Sequence, residues 1–426
     1  MTIDGSWIVG FKKTVPEAFT PKAGFTPQVV VCDGQIRLMS PYMGDSRTWE
    51  CYIHNQFETY LQRCFQNVST VVLCFDDYNK VPTAKAPTQM KRRRNIPSVA
   101  FTDRDALPVL CPDADQWPRF MANRTFKTRL IHLITHTLGQ RALRSLSPDQ
   151  VLIIDWQHPV MLFRGGAEQA ETIPEFSPLG ESDVKFCRYG SLFPNVQVDS
   201  VDGDNLIIGL LSMQTGFKGN YTILHLETKV EPPSKKRLIT GEPAPPARPK
   251  RVYEHVNIRV LYDGLLRRMV PRSHSVTGHE ISMIVSLIGL SGTDFTRPLP
   301  QLSGKTLCEM IPDIWTRVIQ CYDPETRSLK ADLVADRLVS KIYSLKFAKH
   351  CMLGRDSHSY TDLLRQINTS KLCQKTKEAL PSDAVIHCNA RNINWLLEYW
   401  TQHDYPDPIQ PMFGFRRVQG KIGHDD

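Results

Sequence analysis

Apolar residues along this chain come in short runs that end in a turn or an acid. Gln28 to Cys32, within FTPQVVVCDGQIRLM, is a β-branched run that stops at Asp33-Gly34, and it predicts a strand. VVLCF (Val71 to Phe75) is a second strand, ending in Asp76 and Asp77, and SPDQVLIIDW is a third, ending in Asp155. Between these, Phe120 to Leu143 has apolar residues at helical spacing and few breakers, which predicts a helix. VDSVDGDNLIIGLL reads either as a turn and a strand or as a strand, an acidic turn and a helix. HEISMIVSLIGLSGTDF predicts a helix running into a Gly-rich turn. Beyond about residue 305 the pattern is helical and ends in NINWLLEYW, where Trp395, Leu396, Tyr399 and Trp400 share one helical face. Such a stripe is more often core packing than a base-stacking platform. Alternating strands and helices predict an α/β fold with a mainly parallel central sheet flanked by helices, and a helical C-terminal region. In such sheets functional residues gather at the carboxyl ends of the strands.

Thr228 to Glu254 interrupts this alternation with six prolines and seven Lys or Arg residues, which predicts an extended, flexible insertion. Its clusters KKR and RPKR match a basic nuclear import signal and, equally, a solvated loop. The chain thus divides into residues 1–227 and 255–305, two parts of one core, separated by the insertion 228–254 and followed by a helical region, 306–426. At 426 residues it can hold two or three substructures, and 41% hydrophobic residues can supply their cores. The balance of 52 basic to 44 acidic residues favours a polyanionic partner only weakly. No run reaches the roughly 18 apolar residues of a membrane helix, and MTIDGSWIVGFKK lacks the basic-then-apolar order of a signal peptide. The eleven cysteines are scattered singly with no CxxC pair, which predicts reduced thiols in the cytoplasm or nucleus, no secretion and no zinc site.

Acids recur where a strand finishes or a helix begins: Asp33, Asp76, Glu181 and Asp183, Asp202 and Asp204, and Asp294. GESDVK and VDGDNL each space two carboxylates by two residues, so both can aim at one ion, and Gly203 is expected to let the backbone bend between them. Seven carboxylates at one point repel one another unless cations neutralise them. Mg²⁺ or Mn²⁺, with oxygen ligands, does so, and two such ions about 4 Å apart can drive phosphodiester hydrolysis. A single Asp after a strand is more often a turn or a cap. Asp113 and Asp115 (CPDADQW) follow no strand and read as loop acids. His132 and His136, four apart on the predicted helix, lack an acidic ligand and read as surface or core histidines.

Following Asp76, the segment to Thr102 carries Lys80, Lys85, Lys91, Arg92, Arg93 and Arg94 and no acid beyond Asp77. The order of these motifs resembles the flap-endonuclease-like (PIN-like) nucleases, and among them the XRN 5′→3′ exoribonucleases most closely. GFKKTVPEAF is loosely similar to that family's opening segment, and VVVCDGQI resembles its first metal-binding strand. VLCFDDYNKVPTAKAPTQMKRRR resembles its second acid and the P-x-A-K-x-x-x-Q-x-x-R-R segment, with Pro82, Ala84, Lys85, Gln89, Arg92 and Arg93 in matching places. PLGESDVK is similar to G-E-x-E-x-K, with Lys185 in register. VDGDNLIIGL resembles the D-x-D turn and the strand after it, and LSGTDFTRPLP the G-N-D-F-x-P-x-L-P segment.

The resemblance spans most of residues 1–305. It implies two Mg²⁺ or Mn²⁺ ions held by Asp33, Asp76, Glu181, Asp183, Asp202, Asp204 and Asp294. It also implies a pocket of Lys85, Gln89, Arg92 and Arg93 for a 5′-terminal phosphate. The implied activity is 5′→3′ hydrolysis of single-stranded RNA bearing a 5′ monophosphate. Departures are Asp183 where the family has Glu, Asp77 where Gly is common, and the absence of the long C-terminal domains of the large enzymes. LPQLSGKTLCEMI faintly resembles the duplex-gripping turn of flap endonucleases, with only Gly304-Lys305 in place. A structure-specific DNA nuclease, an RNA endonuclease of the herpesvirus host-shutoff kind and a non-catalytic RNA-binding scaffold therefore stay open as alternatives.

Overall fold

The computed structural model describes residues 6–41, 44, 46–78, 98–102, 104–174, 176, 179–217, 219–230, 249–273, 277–292, 296, 298–348, 359–370, 372, 374–402, 415–418 and 421–424. Apolar runs become the strands of one large sheet. They are β1 (Phe19–Thr20), β2 (Val29–Asp33), β3 (Thr70–Cys74), β4 (Val151–Asp155), β5 (Val160–Arg164), β6 (Glu171–Ile173), β7 (Asn195–Asp199), β8 (Asn220–Val230) and β9 (Pro249–Asn257). Their order is β1-β9-β8-β7-β2-β3-β4-β5-β6. The five central strands, β8-β7-β2-β3-β4, run parallel, and antiparallel strands extend the sheet at both edges.

Both faces of the centre are buried, which is why β2, β3 and β4 read as continuous apolar runs rather than alternating ones. Val29 and Val31 of β2 and Val72 and Cys74 of β3 face one core, with the N-terminal helix Ser6–Thr14 and the helices that follow β6. Val30 and Cys32, with Val71 and Leu73, face a second core. That core is built on the helical stretch from Trp49 to Phe65 and the long helix Arg124–Ser145. The helix Ser182–Leu192 precedes β7, and Asp204–Gln214 leads from β7 to β8. The chain therefore leaves β2 toward one face and β7 toward the other, so a topological switch lies between these neighbours.

One open reading is settled and two expectations change. VDSVDGDNLIIGLL forms a strand, an acidic turn and a helix, the second of its two readings, and not the strand after the turn that the resemblance implied. All of Asp204–Gln214 except Ser212 and Gln214 is buried, and an apolar run buried on every side carries no period to read. Gly203 sits at φ −63° and ψ −30°, ordinary right-handed backbone, so it supplies no bend. A Cβ there would stand 3.2 Å from Ile8 Cδ1 and 3.4 Å from Trp7 Cζ2, so its role is to let the N-terminal helix approach. Finally, the ends of the expected flexible insertion are strand. Thr228–Val230 pairs with Pro249–Arg251, extending the β8–β9 ribbon, and residues 231–248 lie outside the described residues.

Trp7 is fully buried, meets Phe11 edge-on with ring centroids 5.3 Å apart, and packs under Gly203. Trp7→Ala should lower stability by about 3–5 kcal/mol, the cost of a large aromatic lost from a packed core. The denaturant midpoint at unchanged slope is the measurement, and a loss under about 1 kcal/mol would mean the helix is dispensable.

Candidate active site

Because the central strands are parallel, they all end at one edge, and the acids that follow them meet there. Asp33 closes β2, Asp76 lies two residues beyond β3, Asp155 closes β4 and Asp199 closes β7. These acids fall into two kinds. Asp155 lies 3.5 Å from the Lys185 ammonium and 3.6 Å from Arg188, and accepts the Tyr189 hydroxyl at 2.8 Å. Asp199 accepts the Tyr60 hydroxyl and lies 3.9 Å from Arg37, whose guanidinium stacks on the Tyr60 ring. Asp33, Asp76 and Asp202, by contrast, have no cation at ion-pair distance among the described residues.

Asp33 is buried and caps the short helix Gly34–Leu38, accepting the Gln35 amide at 2.8 Å. Its other oxygen accepts the Ser200 hydroxyl at 3.3 Å. Burial is the main cause that raises its carboxyl to about 7, and the negative charges of Asp76 and Asp202 add to it. The segments after β3 and β7 therefore bring the Asp76 and Asp202 carboxylates within electrostatic reach of Asp33 at the end of β2.

Hydrogen bonds join the remaining sequence-selected acids to this set. The Ser182 amide, in the first turn of Ser182–Leu192, donates to Asp76 Oδ1 at 2.9 Å. This sets Glu181 and Asp183 beside the end of β3. Asn205 donates to Asp183 Oδ1 at 3.2 Å and to Ser200 Oγ at 2.8 Å. The Asp204 amide donates to Asp202 Oδ1 at 3.1 Å, and the Asp202 amide reaches Ser200 at 3.3 Å. Glu181 is buried and accepts the Tyr399 hydroxyl at 3.2 Å, so the C-terminal helix Asp383–Gln402 closes one side. Trp395, Leu396, Tyr399 and Trp400 are all buried, as core packing requires.

Six of the seven expected acids thus line one edge, although among the described residues no three metal-ligating side chains close into a single group. Asp294 lies outside the described residues, as do Lys85, Gln89, Arg92 and Arg93. The donors present fit a hard cation: they are carboxylate oxygens, and Asp33 feels the charges of Asp76 and Asp202 with no cation at ion-pair distance among the described residues.

Sequence reasoning missed Ser200, Asn205, Ser182 and Tyr399. Ser200 and Asn205 flank the D-x-D pair, which is the signal that could have found them. Tyr399 had none, being 218 residues from its partner. Elsewhere, Asp113 caps a turn by accepting the Gln116 amide at 3.0 Å, and His132 and His136 are exposed. Gly304 opens the helix Gly304–Cys321 against Trp7, whose Cβ would stand 2.5 Å from an added Cβ, so packing accounts for it.

Asp33 ionises in the unfolded chain near pH 4 and in the folded protein near pH 7, so the folded state binds the extra proton between these values. Stability should therefore fall as pH rises from about 4 to about 7 and level off above. Asp33→Asn keeps the cap and removes the charge. In chelator it should be more stable than wild type at pH 8, by on the order of 4 kcal/mol, with the gap narrowing toward pH 5. Denaturant unfolding at the two pH values checks this, and a gap independent of pH would refute it.

No protein-family model matches the chain, and no curated protein matches it in sequence. Among solved structures, the catalytic core of Rad2 in complex with DNA substrate is similar over 72% of this chain and 68% of that one, at 11% identity and a TM-score of 0.34. A likeness at that level fixes neither reaction nor substrate.

Proposed function

We propose that the protein is a divalent-metal-dependent nuclease that hydrolyses phosphodiester bonds, acting 5′→3′ on single-stranded RNA with a 5′ monophosphate. The observation that carries this reading is the gathering of Asp33, Asp76 and Asp202 at the carboxyl edge of the sheet, where the charges of Asp76 and Asp202 act on buried Asp33 and none of the three has a cation at ion-pair distance among the described residues. The neighbouring Asp155 and Asp199 are ion-paired within the protein. Capping and amide bonds account for where Asp33, Asp76 and Asp202 each point, but not for three carboxylates gathered with no ion-paired cation among the described residues.

Asp33, Asp76 and Asp202, with Glu181, Asp183, Asp204 and Asp294, would hold Mg²⁺ or Mn²⁺, through water where the side chain is short. Bound there, such ions supply an activated water and charge stabilisation at the leaving 3′ oxygen. The chain's own part is orientation. Ser200 holds Asp33, Asn205 holds Asp183, and the Ser182 amide holds Asp76, so the acids keep their places when charged. The 5′ preference rests on the resemblance of the basic segment, where Lys85, Arg92 and Arg93 would bond a terminal phosphate and Gln89 would add a neutral donor.

Two outcomes test this. With Mg²⁺, 3′-labelled RNA carrying a 5′ monophosphate should be degraded, whereas 5′-hydroxyl RNA, circular RNA and matched DNA should survive. Cleavage of the circle or of DNA flaps keeps a nuclease and overturns the exonuclease reading. Asp202→Ala should reduce turnover by at least about 10³-fold while binding RNA within about threefold of wild type. Equal turnover by that variant would remove the acids from the chemistry.

A further inference from the structure

We propose that Lys185 and the Ser182 amide form a two-point tie that positions Asp76 against Glu181 and Asp183, so that Lys185 is a positioning residue for the metal site. The inference rests on the nuclease reading above. The Lys185 side chain is 1% exposed, and its ammonium donates to the carbonyls of Phe75 at 2.6 Å, Trp156 at 2.8 Å and Asp155 at 3.2 Å. An ammonium has three N–H donors and no acceptor, so these three carbonyls use all of them. Two belong to residues just beyond β3 and β4 and the third to the last residue of β4, so the ammonium joins the ends of two neighbouring strands.

Its position in the chain gives the tie its consequence. Phe75 immediately precedes Asp76, while Lys185 lies about one helical turn after Glu181 and two residues after Asp183. The second point is the Ser182 amide on Asp76 Oδ1 at 2.9 Å. Together they join the Asp76 strand end to the first turn of Ser182–Leu192, one from side chain to backbone and the other from backbone to side chain. The local charge is not explained by Asp155 alone, because that carboxylate faces both Lys185 and Arg188. A buried ammonium is expensive to desolvate, and an apolar side chain of similar length would fill the space at lower cost. What the ammonium adds is the threefold tie.

The test compares full-length wild type, Lys185→Met, Ser182→Pro and Tyr189→Phe by Mn²⁺ calorimetry and by RNA cleavage as Mn²⁺ is varied. Ser182 occupies the first helical position, where proline is favoured, and Glu181 before it has the extended backbone that proline requires (φ −89°, ψ 142°). Ser182→Pro therefore deletes the N–H and keeps the helix, and it tests the tie even where Lys185→Met does not fold. Both variants should need at least about tenfold more Mn²⁺ for half-saturation and show reduced kcat, with KM for RNA within about threefold. Tyr189→Phe removes the hydroxyl on Asp155; it should lose stability and keep the wild-type Mn²⁺ dependence. Wild-type Mn²⁺ dependence in Ser182→Pro or in folded Lys185→Met overturns the proposal. A wild-type protein that binds Mn²⁺ and cleaves nothing overturns the nuclease reading while the calorimetry still decides the tie. One that takes up no Mn²⁺ overturns both.

Discussion

Like charges brought to one edge of a parallel sheet must be neutralised, and the architecture follows from how that is done. Parallel strands end on the same side, so any acid that terminates a strand is delivered to the same place. This protein uses two solutions side by side. Asp155 and Asp199 are compensated within the protein, by Lys185 and Arg188 in one case and by Tyr60 and Arg37 in the other. Asp33, with Asp76 and Asp202 near it, has no compensating cation among the described residues, and the rise of its carboxyl toward neutrality records its own burial and the negative charges of the other two. A fold selected for stability alone would not keep that arrangement, since swapping one such acid for its amide removes the penalty.

The site is held by distant parts of the chain. Tyr399 reaches Glu181 from the C-terminal helix, Ser182 reaches Asp76 from the helix before β7, and Trp7 and Ile8 form the surface against which Gly203 lies. None of these contacts is local, so the edge is complete only when the helices of the second half have packed on the core face of the sheet. The C-terminal aromatic stripe illustrates the coupling. Its rings are core, yet one hydroxyl in it orients an acid of the candidate site.

How much of this the sequence made legible follows from what each feature depends on. The strands that end at Asp33, just before Asp76 and at Asp155 were readable because burial on both faces demands continuous apolar runs with sharp ends. The helix after Asp204 was ambiguous for the same reason, since burial on all sides erases the period that separates helix from strand. Gly203 shows a different limit: a glycine kept for close approach looks the same in sequence as one kept for a turn, and only the position of Trp7 and Ile8 distinguishes them. The order of the acids picked out a candidate set, of which all but Asp294 fall at the one edge described. Which strand-end acids are compensated was not, because Lys185, Arg188, Tyr60 and Arg37 come from other segments. Lys185 shows this well: a motif position placed it in register, and its role emerges only from three carbonyls 29 to 110 residues away.

Asn205 shows how the two kinds of acid stay distinct at such short range. Its amide nitrogen carries two N–H groups, and they go to Asp183 and to Ser200, whose hydroxyl in turn donates to Asp33. A lysine or arginine in that place would satisfy the same acceptors, but it would also neutralise the acids and remove the charge that attracts a metal. An aspartate would add a further negative charge and turn two donors into acceptors. A neutral donor holds the carboxylates in position and leaves their charge intact. Ser182, through its amide, and Tyr399, through its hydroxyl, do the same for Asp76 and Glu181. Around the candidate site the protein thus supplies orientation through neutral donors, while a few ångströms away Lys185 and Arg188 neutralise Asp155.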